Sequence, residues 1–311
     1  MNRTVITEIF LIGFQNLSDV RFFIICVCLL MYLAALIGNL TIILLVSNSH
    51  YLQSPMFFYL GHLSFSDMLL ISNIVPFLVH IILFSGGFVS LTGCITQFFF
   101  YGVSATTECL LLAAMSYDRY LAICSPLHYS NIMSPRLCLY IVVFCWSLGF
   151  LITLVPVILI QTLWFCGPFV IDHFFCDFGP LLELSCSDVS IVKYEVLFLS
   201  GLLTIIPFWF IVVTYGYIFV TIMKITSITG RQKTFSTCSS HLAVVCTYYG
   251  ALFAIYVVPR RGYSLNINKV VSLMYSVVTP LFNPIIYGLR NKEIKTAIQS
   301  YILRCRRNSR K

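Results

Sequence analysis

The sequence predicts an all-α membrane protein, a seven-transmembrane-helix bundle followed by a short amphipathic eighth helix. Composition is the first reason. Of 311 residues 59% are hydrophobic and only 10% charged, with a mean hydropathy of +0.94, whereas a soluble domain carries about 25% charged residues. So little polar surface cannot cover a water-soluble globule. Segmentation is the second: a transmembrane helix needs roughly 20 mostly apolar residues, and the chain offers seven such windows joined by short polar stretches. The third is a marked asymmetry in where its basic residues fall.

The spans are placed at 22–47, 57–83, 94–122, 137–160, 194–223, 235–258 and 268–288. They divide the chain into an extracellular N-terminal segment (1–21), a seven-transmembrane domain (22–290) and an amphipathic helix with a basic cytoplasmic tail (291–311). The sixth span is the least apolar. Its first turns, Ser236-Thr237-Cys238-Ser239-Ser240-His241, are too polar for lipid and should face other helices or the cytosol. Pro76, Pro156, Pro207, Pro280 and Pro284 fall within spans, where each removes a backbone hydrogen bond and bends the helix. After the last span Ile294, Ala297, Ile298, Tyr301 and Ile302 recur at helical spacing, with Lys292, Lys295 and Arg304 elsewhere. That is the pattern of a helix lying on a membrane surface, and Cys305 at its end is a candidate palmitoylation site.

Lys and Arg are retained on the cytoplasmic side of membranes. With the N-terminus outside, the inner segments hold Arg136, Lys224, Arg231, Lys233, Arg290, Lys292, Lys295 and the basic tail, while the outer side keeps Arg3, Arg21, Lys193, Arg260, Arg261 and Lys269. The bias favours that orientation. The basic tail then reads as attraction to anionic lipid or an acidic partner; nucleic-acid binding is a poor alternative without a soluble domain. The residues before the first span lack the basic start and cleavage site of a signal peptide, so the first helix is expected to be an uncleaved anchor. Asn2-Arg3-Thr4 is an outer glycosylation sequon. Asn16-Leu17-Ser18 sits close to the membrane, and Asn39-Leu40-Thr41 lies inside a span and is set aside.

This topology puts Cys94, Cys166, Cys176 and Cys186 on the oxidising side, with three pairings open to them. Any pairing staples the 33-residue loop from Gln161 to Lys193, long enough to carry function. Asp172, His173, Asp177, Glu183 and Asp188 in that loop also fit a metal site, but disulfide pairing is the more economical account of the thiols. Cys238 and His241 have a ligand-like spacing without a second pair. Cysteines inside spans read as small hydrophobes.

An ionisable residue at mid-membrane costs roughly 2.5–3.5 kcal/mol and needs a partner or a purpose. Asp67 and Glu108 lie near the middle of the second and third spans and should turn inward. Two facing carboxylates can share a proton or hold a cation such as sodium; a protonated acid bonded to a neighbouring helix is the plainer alternative.

Several strings are more specific. Met115-Ser116-Tyr117-Asp118-Arg119-Tyr120-Leu121-Ala122-Ile123-Cys124, followed by Pro126-Leu127-His128-Tyr129, resembles the Asp-Arg-Tyr signature of rhodopsin-like G-protein-coupled receptors in its odorant-receptor form. Pro55-Met56-Phe57-Phe58-Tyr59-Leu60 and Leu63-Ser64-Phe65-Ser66-Asp67 resemble that family's second helix, and Lys233-Thr234-Phe235-Ser236-Thr237-Cys238-Ser239-Ser240-His241-Leu242 its sixth. Pro280-Leu281-Phe282-Asn283-Pro284-Ile285-Ile286-Tyr287-Gly288-Leu289-Arg290-Asn291 resembles its seventh. The Cys166, Cys176, Cys186 spacing and a short third outer loop are similar to the tetrapod, class II branch. Departures are Thr234, Thr214, Leu281, Phe282 and Gly288, which touch helix packing rather than the family.

The resemblance implies a plasma-membrane receptor that binds a small volatile odorant and activates a heterotrimeric G protein of the stimulatory olfactory type, raising cAMP. It implies the disulfides Cys94–Cys176 and Cys166–Cys186. It assigns coupling to Asp118, Arg119, Tyr120, Tyr215, His241, Asn283, Pro284 and Tyr287, with Arg119 restrained by Asp118 at rest and Tyr215 and Tyr287 turning inward as the sixth helix swings out. Arg119 follows Cys94 by 25 positions, roughly 37 Å of helix, so the two mark opposite membrane faces.

For the ligand site, Gly102, Ala105, Thr106 and Cys109 form a stripe of small side chains on the third helix, facing a stripe of Tyr249, Leu252, Phe253 and Tyr256 on the sixth. Such a pairing leaves a tight contact or a cavity. The resemblance favours a cavity, with Leu199, Ser200 and Leu203 added from the fifth helix and Ser276 from the seventh. None of these residues is charged, so the ligand is expected to be mostly apolar and oriented by Thr106, Ser200 or Tyr256.

An intramembrane enzyme would need a motif such as Gly-x-Ser-x-Gly or His-Glu-x-x-His, which the sequence lacks. A transporter would show paired interrupted helices or a charged lining. An amine receptor of the same fold would carry an acid in the outer half of the third helix, where Tyr101, Gly102 and Ala105 stand.

Overall fold

A computed structural model describes residues 8–14, 20–49, 52–166, 169–257 and 264–308. In chain order they form β1 (Glu8–Leu11), α1 (Arg21–Asn48), α2 (Pro55–Phe84), β2 (Gly87–Ser90), α3 (Leu91–Cys124), α4 (Pro126–Ile132), α5 (Pro135–Gln161), β3 (Val170–Ile171), α6 (Phe178–Leu182), α7 (Ser190–Lys224), α8 (Ile228–Val257), α9 (Ser264–Leu273), a π-helical turn (Met274–Val278), α10 (Thr279–Arg290) and α11 (Lys292–Asn308). The seven expected spans are α1, α2, α3, α5, α7, α8 and the continuous α9–α10 segment. Six of these are long and apolar enough to cross a membrane on their own, the exception being α8 with its polar first turns. Asn2 and the N-terminal sequon, and the side chain of Cys305, lie outside the described residues.

Local chemistry sets the helix limits. Proline opens α2, α4 and α5, where its missing N–H is not needed. Ser90 caps α3 by accepting from the Gly93 amide at 3.0 Å, and Ser134 caps α5 from Leu137 at 3.3 Å. The π-helical turn precedes Pro280. Pro280 cannot donate to the Ser276 carbonyl and its ring crowds that group, so the ladder widens there.

The helix α3 is the most enclosed of the long helices and α7 the least. Around α3 sit α2, α5 and α7, with α1 outside α2 and α10. At Gly38 an added Cβ would come within 2.9 Å of the Pro284 ring, which explains how closely α1 and α10 approach. Large apolar side chains such as Phe22, Phe23, Leu151, Phe198 and Trp209 face outward, as lipid-facing residues must.

One feature departs from an all-helical expectation. At the Cys94 end, named outer by the charge bias, β1 pairs antiparallel with β2 and parallel with β3. This sheet and the Cys94–Cys176 and Cys166–Cys186 disulfides form a lid. Its underside packs Ile9, Leu11, Ile171, Leu181 and Leu184 on Ile81, Ile95 and Phe98 of the bundle. Lys269, only 2% exposed, ties it down by donating to the Gly13 carbonyl at 2.8 Å and pairing with Asp172 at 2.5 Å. His173 lies beneath, stacked on Phe174 and edge-on to Phe175. Burial, aided by Lys269 and opposed by Asp177 and Asp172, lowers its pKa to about 4.

Because the folded lid holds His173 neutral below its ordinary value of about 6.5, protons bind preferentially to the unfolded chain. Its contribution is full above pH ~6.5 and is lost as pH falls towards 4, by on the order of 1–3 kcal/mol. Thermal midpoints of the purified receptor should fall across that window, and His173→Phe should flatten that part of the profile; an unchanged profile in the variant refutes the assignment.

Candidate ligand cavity and inner mouth

Beneath the lid lies a cavity of about 560 Å³ between α3, α5, α7, α8 and α9. Gly102, Ala105, Thr106 and Cys109 line it from α3, Leu199, Ser200 and Leu203 from α7, and Leu252 from α8. Gly102 also has a packing reason, since a Cβ there would meet Thr153 at 2.6 Å. Further lining comes from Tyr101, Thr153, Phe175, Phe178, Tyr248 and Tyr275, none of which stood out in the sequence. Charged groups line it too, Asp177, Lys193 and Glu195, which corrects the expectation of an uncharged site.

Three of the expected lining residues lie elsewhere. Phe253 is 69% exposed, and with Tyr249 it lines a separate apolar crevice of about 830 Å³ between α7 and α8. The buried face of α8 runs through Cys238, His241, Val244, Val245, Tyr248 and Tyr249, so the expected stripe keeps Tyr249 inward but leaves Phe253 on the lipid side. Lipid is as apolar as a protein core, so hydrophobic periodicity gives no phase here; the polar Ser240 and His241 would have given it. Ser276 is fully buried and donates to the Ser272 carbonyl at 2.6 Å, while Ser272, one turn higher, reaches the cavity. The side chain of Tyr256 lies outside the described residues.

The cavity floor is where α8 joins α3. The Tyr248 hydroxyl donates to the Ala105 carbonyl at 2.8 Å, and the Tyr249 hydroxyl and Cys109 thiol share a hydrogen bond at 3.0 Å. Cys109 also donates to the Leu203 carbonyl of α7 at 3.0 Å. Below the floor, Asp67 accepts from the Asn283 amide at 2.9 and 3.0 Å, which joins α2 to α10. Glu108 is fully buried and neither of its carboxylate oxygens has a hydrogen-bond partner among the described residues.

At the inner end Asp118 holds Arg119 through Nε at 2.9 Å and Nη2 at 2.5 Å, and accepts from the Tyr129 hydroxyl at 2.8 Å. Burial, reinforced by Asp118, pushes the Tyr129 phenol up. Tyr120 packs beside Tyr217 and the Ile218, Ile222 and Cys238 cluster. Tyr215 and His241 bond at 2.7 Å, and the other His241 nitrogen meets the Leu112 carbonyl at 3.2 Å. The Tyr287 hydroxyl is buried with no partner among the described residues, and Pro284 lies against α1. Among the described residues no group of three or more His, Cys, Asp and Glu side chains could hold a metal ion, which leaves the outer-loop and Cys238/His241 metal readings without support.

The bundle is similar to squid rhodopsin, with a TM-score of 0.72 and 18% identity, covering 91% of this chain and 80% of that one, a likeness of fold. The olfactory receptor family model matches residues 27–305. Mouse olfactory receptor 5G25 is 45% identical over 96% of this chain and 93% of its own length, and human olfactory receptor 10C1 is 44% identical over 97% and 96%. The chain belongs to the olfactory receptor family, multi-pass membrane receptors that couple odorants to G proteins, and is not an enzyme.

Proposed function

We propose that a small, mostly apolar volatile odorant occupies the cavity under the lid and, through α8, activates a heterotrimeric G protein of the stimulatory olfactory type, raising cAMP. The observation that carries this reading is the cavity floor: Ala105 and Cys109, which line the cavity, are also the residues that hold Tyr248 and Tyr249 of α8. A ligand at that depth strengthens or weakens both links, so it has the differential contact with two helix arrangements that switching requires. Lower on the same helix, His241 ties α8 to α3 and to Tyr215. Outward movement of α8 breaks those ties and opens the inner mouth. Arg119 then leaves Asp118 for the Gα subunit, while Tyr215 and the unpartnered Tyr287 turn into the space. The receptor works in the plasma membrane with its N-terminus outside, glycosylated at Asn2, and with its basic tail on anionic lipid.

Sodium at Asp67 and Glu108 would favour the resting arrangement. The donor set fits, because Glu108 offers two buried oxygens without hydrogen-bond partners among the described residues and hard cations take oxygen ligands; a proton shared by the two acids is the competing account.

Arg119→Ala should abolish odorant-evoked cAMP while surface staining persists, and an undiminished response sinks the coupling role. Ala105→Leu should fill the cavity and shift the response in a homologous odorant series towards shorter members, by about tenfold in potency for the longest. Should the ranking stay the same, the ligand binds elsewhere. Glu108→Gln should change basal signalling and blunt any sodium effect on it; identical sodium dependence in mutant and parent rules out the cation site.

A further inference from the structure

Two side chains that line the cavity, Tyr275 and Glu195, have buried polar atoms without a hydrogen-bond partner among the described residues, and Glu195 is the acid of the two. Glu195 lines it from α7, and both of its carboxylate oxygens are closed off from solvent with no hydrogen-bond partner among the described residues. Its place on the helix is inward. Val192, three residues before it, is buried, Leu199 and Leu203, four and eight residues after it, are half-buried, and the flanking Ile191, Tyr194 and Phe198 are exposed.

Among the described residues no cation pairs with it. The ion pairs among the described residues are Arg119–Asp118 and Lys269–Asp172, so Lys269 is committed elsewhere. Lys193 reaches the same cavity but makes no ion pair with Glu195. Asp177, the other acid on the wall, already caps α6 by accepting from the Phe178 amide at 2.8 Å.

We infer that Glu195 anchors the hydrogen-bond-donating head group, a hydroxyl or protonated amine, of an otherwise apolar ligand in this cavity, which thereby selects donors over acceptor-only compounds of the same length. The inference rests on reading the cavity as the ligand site and names the class of ligand it takes. An ionised carboxylate only accepts hydrogen bonds. A hydroxyl or ammonium group therefore supplies what the buried oxygens lack, while an ether or aldehyde brings lone pairs against lone pairs. Bonds to a charged acceptor are the strong ones, and a site built to bond a donor rejects the analogue without it more sharply than an apolar pocket rejects an added methylene.

The test uses the purified full-length receptor in lipid nanodiscs and a straight-chain alcohol, primary amine, methyl ether and aldehyde of matched length. Affinities are read from the concentration dependence of the thermal midpoint. The alcohol and amine should bind at least about tenfold more tightly than the ether and aldehyde. Glu195→Leu should erase the preference, and Glu195→Gln, which both donates and accepts, should bring the four close together. Equal affinities across the four in the parent receptor, absence of binding included, overturn the inference, as does a preference that survives Glu195→Leu. Ala105→Leu separates this from the cavity reading. If it alters affinity and Glu195→Leu does not, the cavity stands and the anchor falls; if neither alters affinity, both fall.

Discussion

The arrangement depends on one constraint: polar groups on α3 lie in hydrocarbon, where no water can satisfy them, so each neighbouring helix is held by the group it satisfies. Gln97 and Asn73 exchange side-chain to backbone bonds at 2.8 and 3.0 Å, fixing α2, and the Gln97 side-chain oxygen (Oε1) accepts from the Cys176 amide at 2.9 Å, fixing the outer loop beside its disulfide. Ser66 of α2 donates to the Ser104 carbonyl. Thr214 and Thr221 of α7 bond to Ser116 and Cys124. The α8 side chains take the Ala105 and Leu112 carbonyls and the Cys109 thiol. Apolar packing alone discriminates poorly between helix and lipid, so these bonds do much to set which helix stands where.

The lid extends the same logic into water. A hydrophobic underside and two disulfides hold it on the bundle, while the buried Lys269 joins three separate stretches of chain, the segment after β1, the outer loop and α9. With those stretches tied together, the cavity is roofed by Phe175 and Phe178, residues of the long loop itself. The length of that loop is thereby explained: it is needed to reach across the bundle and back.

Much of this was legible in the sequence because the bilayer writes a strong signal. Span positions follow from hydropathy and agree with the helices to within a few residues at most ends. The α3 stripe reaches the cavity as expected, since Cys94 and Arg119 fix its depth and the small residues its face. The phase of α8 was not legible from apolar residues, because its lipid side is as apolar as its core side, and so Phe253 was placed on the wrong face, while Tyr249 does turn towards Cys109 of α3 at the cavity floor. Nor was β1, a four-residue strand whose pairing depends on partners some 80 and 160 positions away. Glu195 escaped notice because a lone acid near a span end usually reads as an interfacial residue, and only the folded α7 shows its oxygens enclosed.

The way α8 is attached bears directly on switching. Beside α7 it leaves an open crevice, and its polar ties to α3 are the bonds from Tyr248, Tyr249 and His241, alongside the apolar packing of Val244, Val245 and Tyr248 in the core. A net hydrogen bond is worth about 0.5–1.5 kcal/mol, so these three contribute about 2–4 kcal/mol to holding α8. That is small enough for a ligand of few atoms to offset through its differential affinity for the two arrangements. A helix held by a tight apolar interface would need far more binding energy to move than a volatile molecule can supply, since small ligands gain at most about 1.5 kcal/mol per heavy atom. On the reading proposed above, the few polar ties at the cavity floor are therefore what match this helix to a small ligand.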